Sequence, residues 1–180
     1  MVRFKAGLVI GLAALAATSS TPLLAQAFNG NQVVSAVGIA DLQQFVQQHG
    51  DTVVQTGQAG NVSVLAKAPS GLNYSLVGAA CNQQGVTGCE GIFMQVKYTV
   101  TPAVTDATLS ASNTRYAALK IWRDEGKTIV GISRYMILRG GVTKQNVINN
   151  IDVLVGVSPA AAGIAFGQAP TPAAPPAGGK

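Results

Sequence analysis

Charged side chains are scarce in this sequence, and the residue types that most often carry chemistry are scarcer still. Of 180 residues, Asp and Glu account for 7 and Lys and Arg for 12, with one histidine and two cysteines. Two cysteines without a pair of histidines make a poor zinc site. The acids are spread along the chain, and the one adjacent pair, Asp124 and Glu125, falls in a predicted turn rather than across a cleft. The sequence therefore predicts no metal site and no cofactor.

Catalytic motifs are also missing. There is no Gly-x-Ser-x-Gly elbow, and no Gly-x-Gly-x-x-Gly or Walker pattern opens a helix after a strand. The single histidine, His49, falls at the end of a predicted helix, where a partial positive charge suits the dipole. No cysteine, serine or carboxylate motif is seen that would recruit it for catalysis. The basic residues are scattered rather than clustered, which argues against nucleic-acid binding. We predict a protein that is not an enzyme, with no catalytic residues.

The first 27 residues have the pattern of a secretory signal peptide. Arg3 and Lys5 precede an apolar run over residues 6–17, and Ala25 and Ala27 have the A-x-A spacing of a cleavage site. The run is shorter than the roughly 20 apolar residues that a membrane span needs, and an uncleaved anchor is the alternative. We expect cleavage after Ala27, no stable membrane span afterwards, and a periplasmic or secreted protein. Cleavage lowers the net charge from +5 to +3, because Arg3 and Lys5 leave with the peptide.

The two cysteines border a short loop between two alternating segments. Leu72, Tyr74 and Leu76 share one side of an extended segment, and a second alternating segment runs from Ile92 to Val100. The intervening loop is polar with two glycines, so the segments are predicted to form an antiparallel pair. In an oxidising compartment Cys81 and Cys89 are expected to form a disulfide, worth about 2.5 kcal/mol in the chain-entropy model. Free thiols or a metal are the alternatives.

The remaining segments predict a single domain. Residues 28–37 are expected to be flexible, a helix to follow from Gly38 to Gly50, and residues 159–180, rich in Ala and Pro, to form a disordered tail. Thr105 or Asp106 is predicted to cap a second helix and Thr143 a third. Between these helices, an Asp-Glu-Gly turn joins two further strands. Residues 38–158 thus predict an α+β domain of two layers, an antiparallel sheet of five to six strands with three helices.

The order of these motifs resembles the YbjN-type family of bacterial proteins, described as sensory transduction regulators. The resemblance covers residues 38–157 and rests on the Gly-Leu-Asn-Tyr-Ser strand, the cysteine pair, the helix with Asn113 and the Gly-Gly-Val-Thr step at residues 140–143. The chain has Asn113-Thr114-Arg115-Tyr116 where the family pattern is Asn-x-Trp-Asn. The resemblance implies a fold similar to type III secretion chaperones, which bind partner segments and often dimerise. It implies no catalytic residues.

Two functional hypotheses follow. The first is an exported, non-enzymatic binding or chaperone-like module, with a regulatory role open, whose partner is another protein or a second copy; the low charge leaves apolar surface for it. The second is a small-ligand sensor or a periplasmic hydrolase. A concave apolar pocket with two or more titratable side chains would favour the second, and a flat apolar patch or a bare strand edge the first. Trp122 is interpreted as a core or interface residue, with a ligand platform as the alternative.

Overall fold

The structure is a computed structural model, and it describes residues 28–58 and 60–169. The signal-peptide prediction, with Ala25 and Ala27, lies outside the described residues, as does the tail from residue 170. The elements in chain order are β1 (Val33–Val34), α1 (Ile39–Gln48), β2 (Thr52–Thr56), β3 (Ser63–Lys67), β4 (Asn73–Cys81), β5 (Cys89–Thr99), α2 (Asp106–Arg115), β6 (Lys120–Arg123), β7 (Ile129–Ile137), β8 (Val142–Thr143) and α3 (Lys144–Ala165).

Six of the strands form one sheet in the order β2-β3-β4-β5-β7-β6, and every neighbouring pair is antiparallel. All but one of the neighbours follow each other in the chain. The exception is β5 beside β7, since α2 and β6 intervene in sequence. The α+β class, with three helices and an antiparallel sheet of this size, is confirmed.

The core lies between one face of the sheet and the helices. Along β5, Ile92, Met94 and Val96 alternate inwards and are almost completely buried. Helix α1 contacts β2 and β3, α3 contacts β5 and β7, and α2 packs on α3 and β6. All three helices therefore cover the same side, and within residues 28–58 and 60–169 no element covers the other side, to which alternate strand residues point.

The helix starts follow the predicted caps. The Oγ1 atom of Thr105 accepts the backbone N–H of Thr108 at 3.2 Å, and that of Thr143 accepts the N–H of Asn146 at 3.2 Å. Each bond satisfies a backbone donor that has no partner within the first turn. Helix α1 ends at Gln48, and Gly50 has φ +89°, a conformation that glycine adopts without steric cost.

The prediction that residues 28–37 are flexible is wrong for their second half. Val33 and Val34 pair with Thr143 and Val142, and Val37 forms an isolated bridge with Cys89. Val37 is 1% exposed, so it belongs to the core. The Asn and Gly content of this segment concealed Val34, which packs against the core, and Val37, which belongs to it.

The prediction of a disordered tail from residue 159 is also wrong for its first part. Helix α3 continues through Pro159 to Ala165, and Ala161, Ile164 and Ala165 are buried. Small alanines let α3 lie close to α2, where the Ser112 Oγ donates to the Ala161 carbonyl at 2.8 Å. Pro159 is exposed, so its ring meets solvent rather than the neighbouring helix. The helix then ends in a Schellman motif, in which the Gln168 N–H donates to the Gly163 carbonyl at 2.9 Å.

Helix α3 is long and apolar enough, with 22 residues and a mean hydropathy of 1.4, to match a membrane span by length and composition alone. In the fold it is the central helix of the core. Its positions Val147, Ile151 and Leu154 are fully buried against the sheet and the other helices. We therefore describe it as a core helix.

Candidate functional site

The side of the sheet opposite the helices forms a broad surface, which we call the open face. Strand register places its members in cross-strand rows. From one end of the face to the other there are four rows. The first contains Ala79, Gly91 and Ile137, and the second contains Ser63, Val77, Phe93 and Tyr135. The third contains Leu65, Ser75, Gln95, Ser133 and Lys120, and the fourth contains Lys67, Asn73, Lys97, Gly131 and Trp122.

One end of the open face is apolar. Phe93 pairs with both Val77 and Tyr135, and Ile137 lies on the adjacent row. The exposed fractions are 52% for Tyr135 and 63% for Ile137, while Leu65 on β3 is 37% exposed. Large apolar side chains that share one face form a patch of the kind that marks interaction sites rather than the scattered apolar residues of an ordinary surface.

Two aromatic side chains of this face pack directly over glycines. A Cβ atom at Gly91 would collide with the phenol of Tyr135, and one at Gly131 would collide with the indole of Trp122. The Trp122 Nε1–H also donates to the Ser133 Oγ at 3.1 Å, which fixes the orientation of the indole. The absence of a Cβ atom at each glycine therefore leaves room for an aromatic ring against the strand.

The other end of the open face is basic. Lys67, Lys97 and Lys120 project from this side and are exposed. Within the residues described, none of the three takes part in a salt bridge. The rows contain no acidic residue. The one acid inside the described strands, Glu90, is outside these rows, where it is buried and accepts hydrogen bonds from Arg139 through both carboxylate oxygens at 3.0 and 2.7 Å. That hydrogen-bonded pairing with Arg139 lowers the pKa of Glu90.

A groove of about 530 Å³ lies on the β2–β3 side of this surface. Leu65, Ser75 and Val77 of the open face form part of its wall, and the rest comes from β2, the following turn and the start of β3, including Gln55 and Asn61. Its lining contains no titratable side chain. The groove offers shape and hydrogen-bonding groups rather than acid–base chemistry.

A second cleft, also of about 530 Å³, lies where the end of α3 meets the β3–β4 turn. Leu72, Pro159 and Phe166 make it mostly apolar, and Tyr98 contacts Phe166 edge-on with ring centroids 6.0 Å apart. Tyr98 is the one titratable residue in its lining, and burial raises the pKa of that phenol. With one titratable residue, the cleft does not meet the condition of two or more that would favour a sensor or a hydrolase.

The sequence analysis missed a buried polar cluster around Asp51. The Tyr74 hydroxyl donates to Asp51 Oδ2 at 2.6 Å, and His49 Nδ1 lies 2.7 Å from the same oxygen. On its other side, His49 Nε2 lies 3.8 Å from Asp152 Oδ1. Burial, together with the bond to Asp51, raises the pKa of Tyr74 far above its usual value. The sequence analysis did not pair His49 with a carboxylate, although the His-x-Asp spacing was the available signal.

This cluster links the α1–β2 turn with β4 and α3 but presents no nucleophile. His49 and Asp51 lie in the turn between α1 and β2, Tyr74 comes from β4 and Asp152 from α3. The Asp51 side chain is completely buried, and the imidazole is mostly buried. Such an arrangement orients a histidine, but within residues 28–58 and 60–169 no serine, threonine or cysteine is hydrogen-bonded to it. We therefore interpret the cluster as structural.

The other predicted residues are placed as follows. Cys81 and Cys89 lie opposite each other on β4 and β5 and are joined by a disulfide. Asp124 belongs to the β6–β7 turn, where its carboxylate accepts the N–H groups of Ile129 and Thr128 at 2.7 and 2.8 Å. Those backbone bonds lower its pKa. Across the described part of the chain, no group of three His, Cys, Asp or Glu side chains is placed to hold a metal ion.

Comparison with solved structures gives distant relatives by fold. An uncharacterised protein from Methanothermobacter thermautotrophicus superposes with a TM-score of 0.52 at 9% identity, covering 72% of this chain and 96% of that one. YbjN from E. coli gives 0.49 at 15% identity, covering 71% and 95%. The HopA1–SchA chaperone–effector complex gives 0.45 at 11% identity, covering 67% and 93%. No family model and no curated protein sequence matches the chain. At these identities the likeness concerns the fold alone.

Proposed function

We propose that this protein is a non-enzymatic binding module, chaperone-like in that it holds a segment of another protein, and that the open face is its binding surface. The observation that carries the proposal is the side of the sheet that no described element covers, where Tyr135 and Ile137 are more than half exposed. Burying apolar area of this kind against a partner lowers the free energy of the complex, because the area is removed from water.

The alternative, a ligand sensor or hydrolase, has less support. The groove on the open face has no titratable lining residue, and the cleft at the end of α3 has one. The buried cluster around Asp51 is closed within the core rather than lining either cavity. A binding surface therefore accounts for more of the exposed features than a catalytic pocket does.

The test is affinity capture of the tagged mature protein from cross-linked intact cells, followed by mass spectrometry. The variant Tyr135→Asp combined with Ile137→Asp places charge on the apolar end of the open face, and we expect it to lose the dominant captured protein. Val33→Asp is the matched control, because Val33 is 61% exposed, close to the 63% of Ile137, but lies outside the six-stranded sheet. Equal capture by both variants would count against the open face as the binding surface.

We also propose that the protein is an exported member of the YbjN-type family. The support is the signal-peptide pattern ending at Ala27, the motif order in residues 38–157 and the disulfide between Cys81 and Cys89. N-terminal sequencing of protein purified from the periplasm should begin at Phe28. Full labelling of both cysteines by a thiol reagent under denaturing, non-reducing conditions would contradict the oxidised, exported form.

A further inference from the structure

We infer that the partner segment is extended and two-part, with apolar side chains for one end of the open face and Asp or Glu side chains for the other. This inference rests on the proposed binding function and deepens it. Its basis is charge complementarity, because the open face carries three exposed lysines and no acid. The whole chain, by comparison, carries 7 acids and 12 basic residues.

The register of β5 sets the spacing that the partner must match. Phe93 in the apolar end and Lys97 in the basic end are on the same side of one strand. At about 3.3 Å per residue, four residues separate them by roughly 13 Å. A segment lying along the strands would therefore place its acids about four residues from its apolar anchors.

The row between the two ends also suits a polypeptide. Ser75 and Gln95 are half-buried hydrogen-bonding side chains that stand between the apolar patch and Lys97, and Lys120 lies at the end of their row. Ser133, the next residue in the row, is buried and accepts the Trp122 Nε1–H, so it is not available to a partner. A peptide backbone offers donors and acceptors to this row, whereas the hydrocarbon of a bilayer would leave it dehydrated without partners. An anionic membrane satisfies the lysines but not the row beside them.

A second copy of the chain does not supply the missing charge. If two open faces stacked symmetrically, the lysines would meet either the lysines or the apolar end of the other copy, since these rows hold no acid. Within residues 28–58 and 60–169, the acids nearest in sequence, Asp124 and Glu125, lie in the β6–β7 turn, where Asp124 is bonded to the turn itself. The open face is thus complementary to a different, acidic sequence.

Trp122 provides the readout, because it is the only tryptophan in the protein and lies on the basic end. Three synthetic peptides share one half, Leu and Phe alternating with Ser, and carry Glu, Gln or Lys in the other half at about four residues' distance. Each is titrated into the full mature protein while Trp122 emission is followed at low and high NaCl. We expect the Glu peptide to bind most tightly and to weaken with salt.

Lysine variants test the charge directly. Lys97→Gln and Lys120→Gln are each expected to weaken the Glu peptide about 2- to 5-fold while leaving the Gln peptide unchanged. Arg115→Gln is the matched control, because it removes one exposed positive charge from α2, on the helix side. Circular dichroism on every variant confirms that the fold is retained.

Each outcome decides the inference. Binding of all three peptides with equal affinity, lost in Tyr135→Asp with Ile137→Asp, would overturn the acidic partner while leaving the open face as a binding surface. Absence of binding by every peptide would also overturn it, and the capture experiment then judges the binding surface separately. Binding to phosphatidylglycerol vesicles but not to the Glu peptide would replace the polypeptide with a membrane, and concentration-dependent dimerisation through Ile137 would replace it with a second copy.

Discussion

At the scale of single residues, the polar cluster in the core is the feature with the largest expected effect on stability. Replacing Asp51 by Ala leaves the Tyr74 hydroxyl and His49 Nδ1 without their shared acceptor. A buried donor left unsatisfied costs about 1–3 kcal/mol, so we expect the free energy of unfolding to fall by at least about 2 kcal/mol. Urea denaturation measures the change.

Asp152→Ala is the control for that variant. Asp152 is 79% exposed and lies 3.8 Å from His49, so an ion pair there contributes little. We expect a change below about 0.5 kcal/mol. If the two variants lost the same stability, the buried cluster would not be the source of the effect.

Tyr74 should make the protein sensitive to alkali. Because burial and Asp51 raise its pKa in the folded state, the unfolded chain ionises this phenol first, near its usual pKa of about 10. The stability that depends on a neutral Tyr74 is therefore fully present below pH 10, and it is lost as the pH rises above that value. Tyr74→Phe should flatten the dependence of the free energy of unfolding on pH between about 10 and 11.5. An unchanged slope would mean that other groups, such as Tyr98, control alkaline unfolding.

At the scale of elements, helix α3 depends on residues that composition suggested were dispensable. Ending the chain at Ala160 removes Ala161, Ile164 and Ala165, which are buried against the rest of the domain. We expect a loss of about 3 kcal/mol or more, since several core side chains and their helix turn disappear together. Ending the chain at Ala169 keeps this last turn and should change stability by less than about 0.5 kcal/mol. Thermal unfolding followed by circular dichroism compares the two truncations.

The contrast between the elements that were predicted and those that were not has a physical origin. Strands β4 and β5 were predictable because their period of two is set by one buried face, and the caps at Thr105 and Thr143 because they are local bonds. The end of α3 was not, because its alanines are buried by α2, which lies far away in sequence. Likewise, Asp51 becomes a core residue only because Tyr74 reaches it across the sheet. Contacts between distant segments have no signal in a local pattern.

At the scale of the whole molecule, the open face leaves large apolar side chains in water. We expect the unbound protein to bind an apolar dye, and Tyr135→Asp with Ile137→Asp to bind less of it. Because both residues are more than half exposed, the free energy of unfolding should change by less than about 1 kcal/mol. Dye fluorescence measures the exposed apolar surface, and urea denaturation of the same samples measures the free energy of unfolding, so the two effects can be distinguished. Equal dye binding by both proteins would show that the apolar area lies elsewhere.

The candidate surface was only partly predictable from the sequence. Alternation predicted which side of β5 is apolar, but the order of strands in the sheet decides which residues become neighbours. Lys120 on β6 and Lys67 on β3 are more than fifty residues apart in the chain, and register brings them to one face. Trp122 is half-buried there, so its interpretation as a core or interface residue stays a prediction, and its packing over Gly131 has no signal in the local sequence.

The pairing of β1 with β8 has a consequence for the order of folding. Val33 comes close to the start of the described chain, yet its partner, Thr143, is on the order of a hundred residues away. Closing so long a loop is slow, so the first strand made is among the last to be paired. A chain that crosses a membrane from its N-terminus, as we propose, would therefore emerge with β1 unpaired. It could pair β1 only after Val142 and Thr143, at the start of α3, have also crossed.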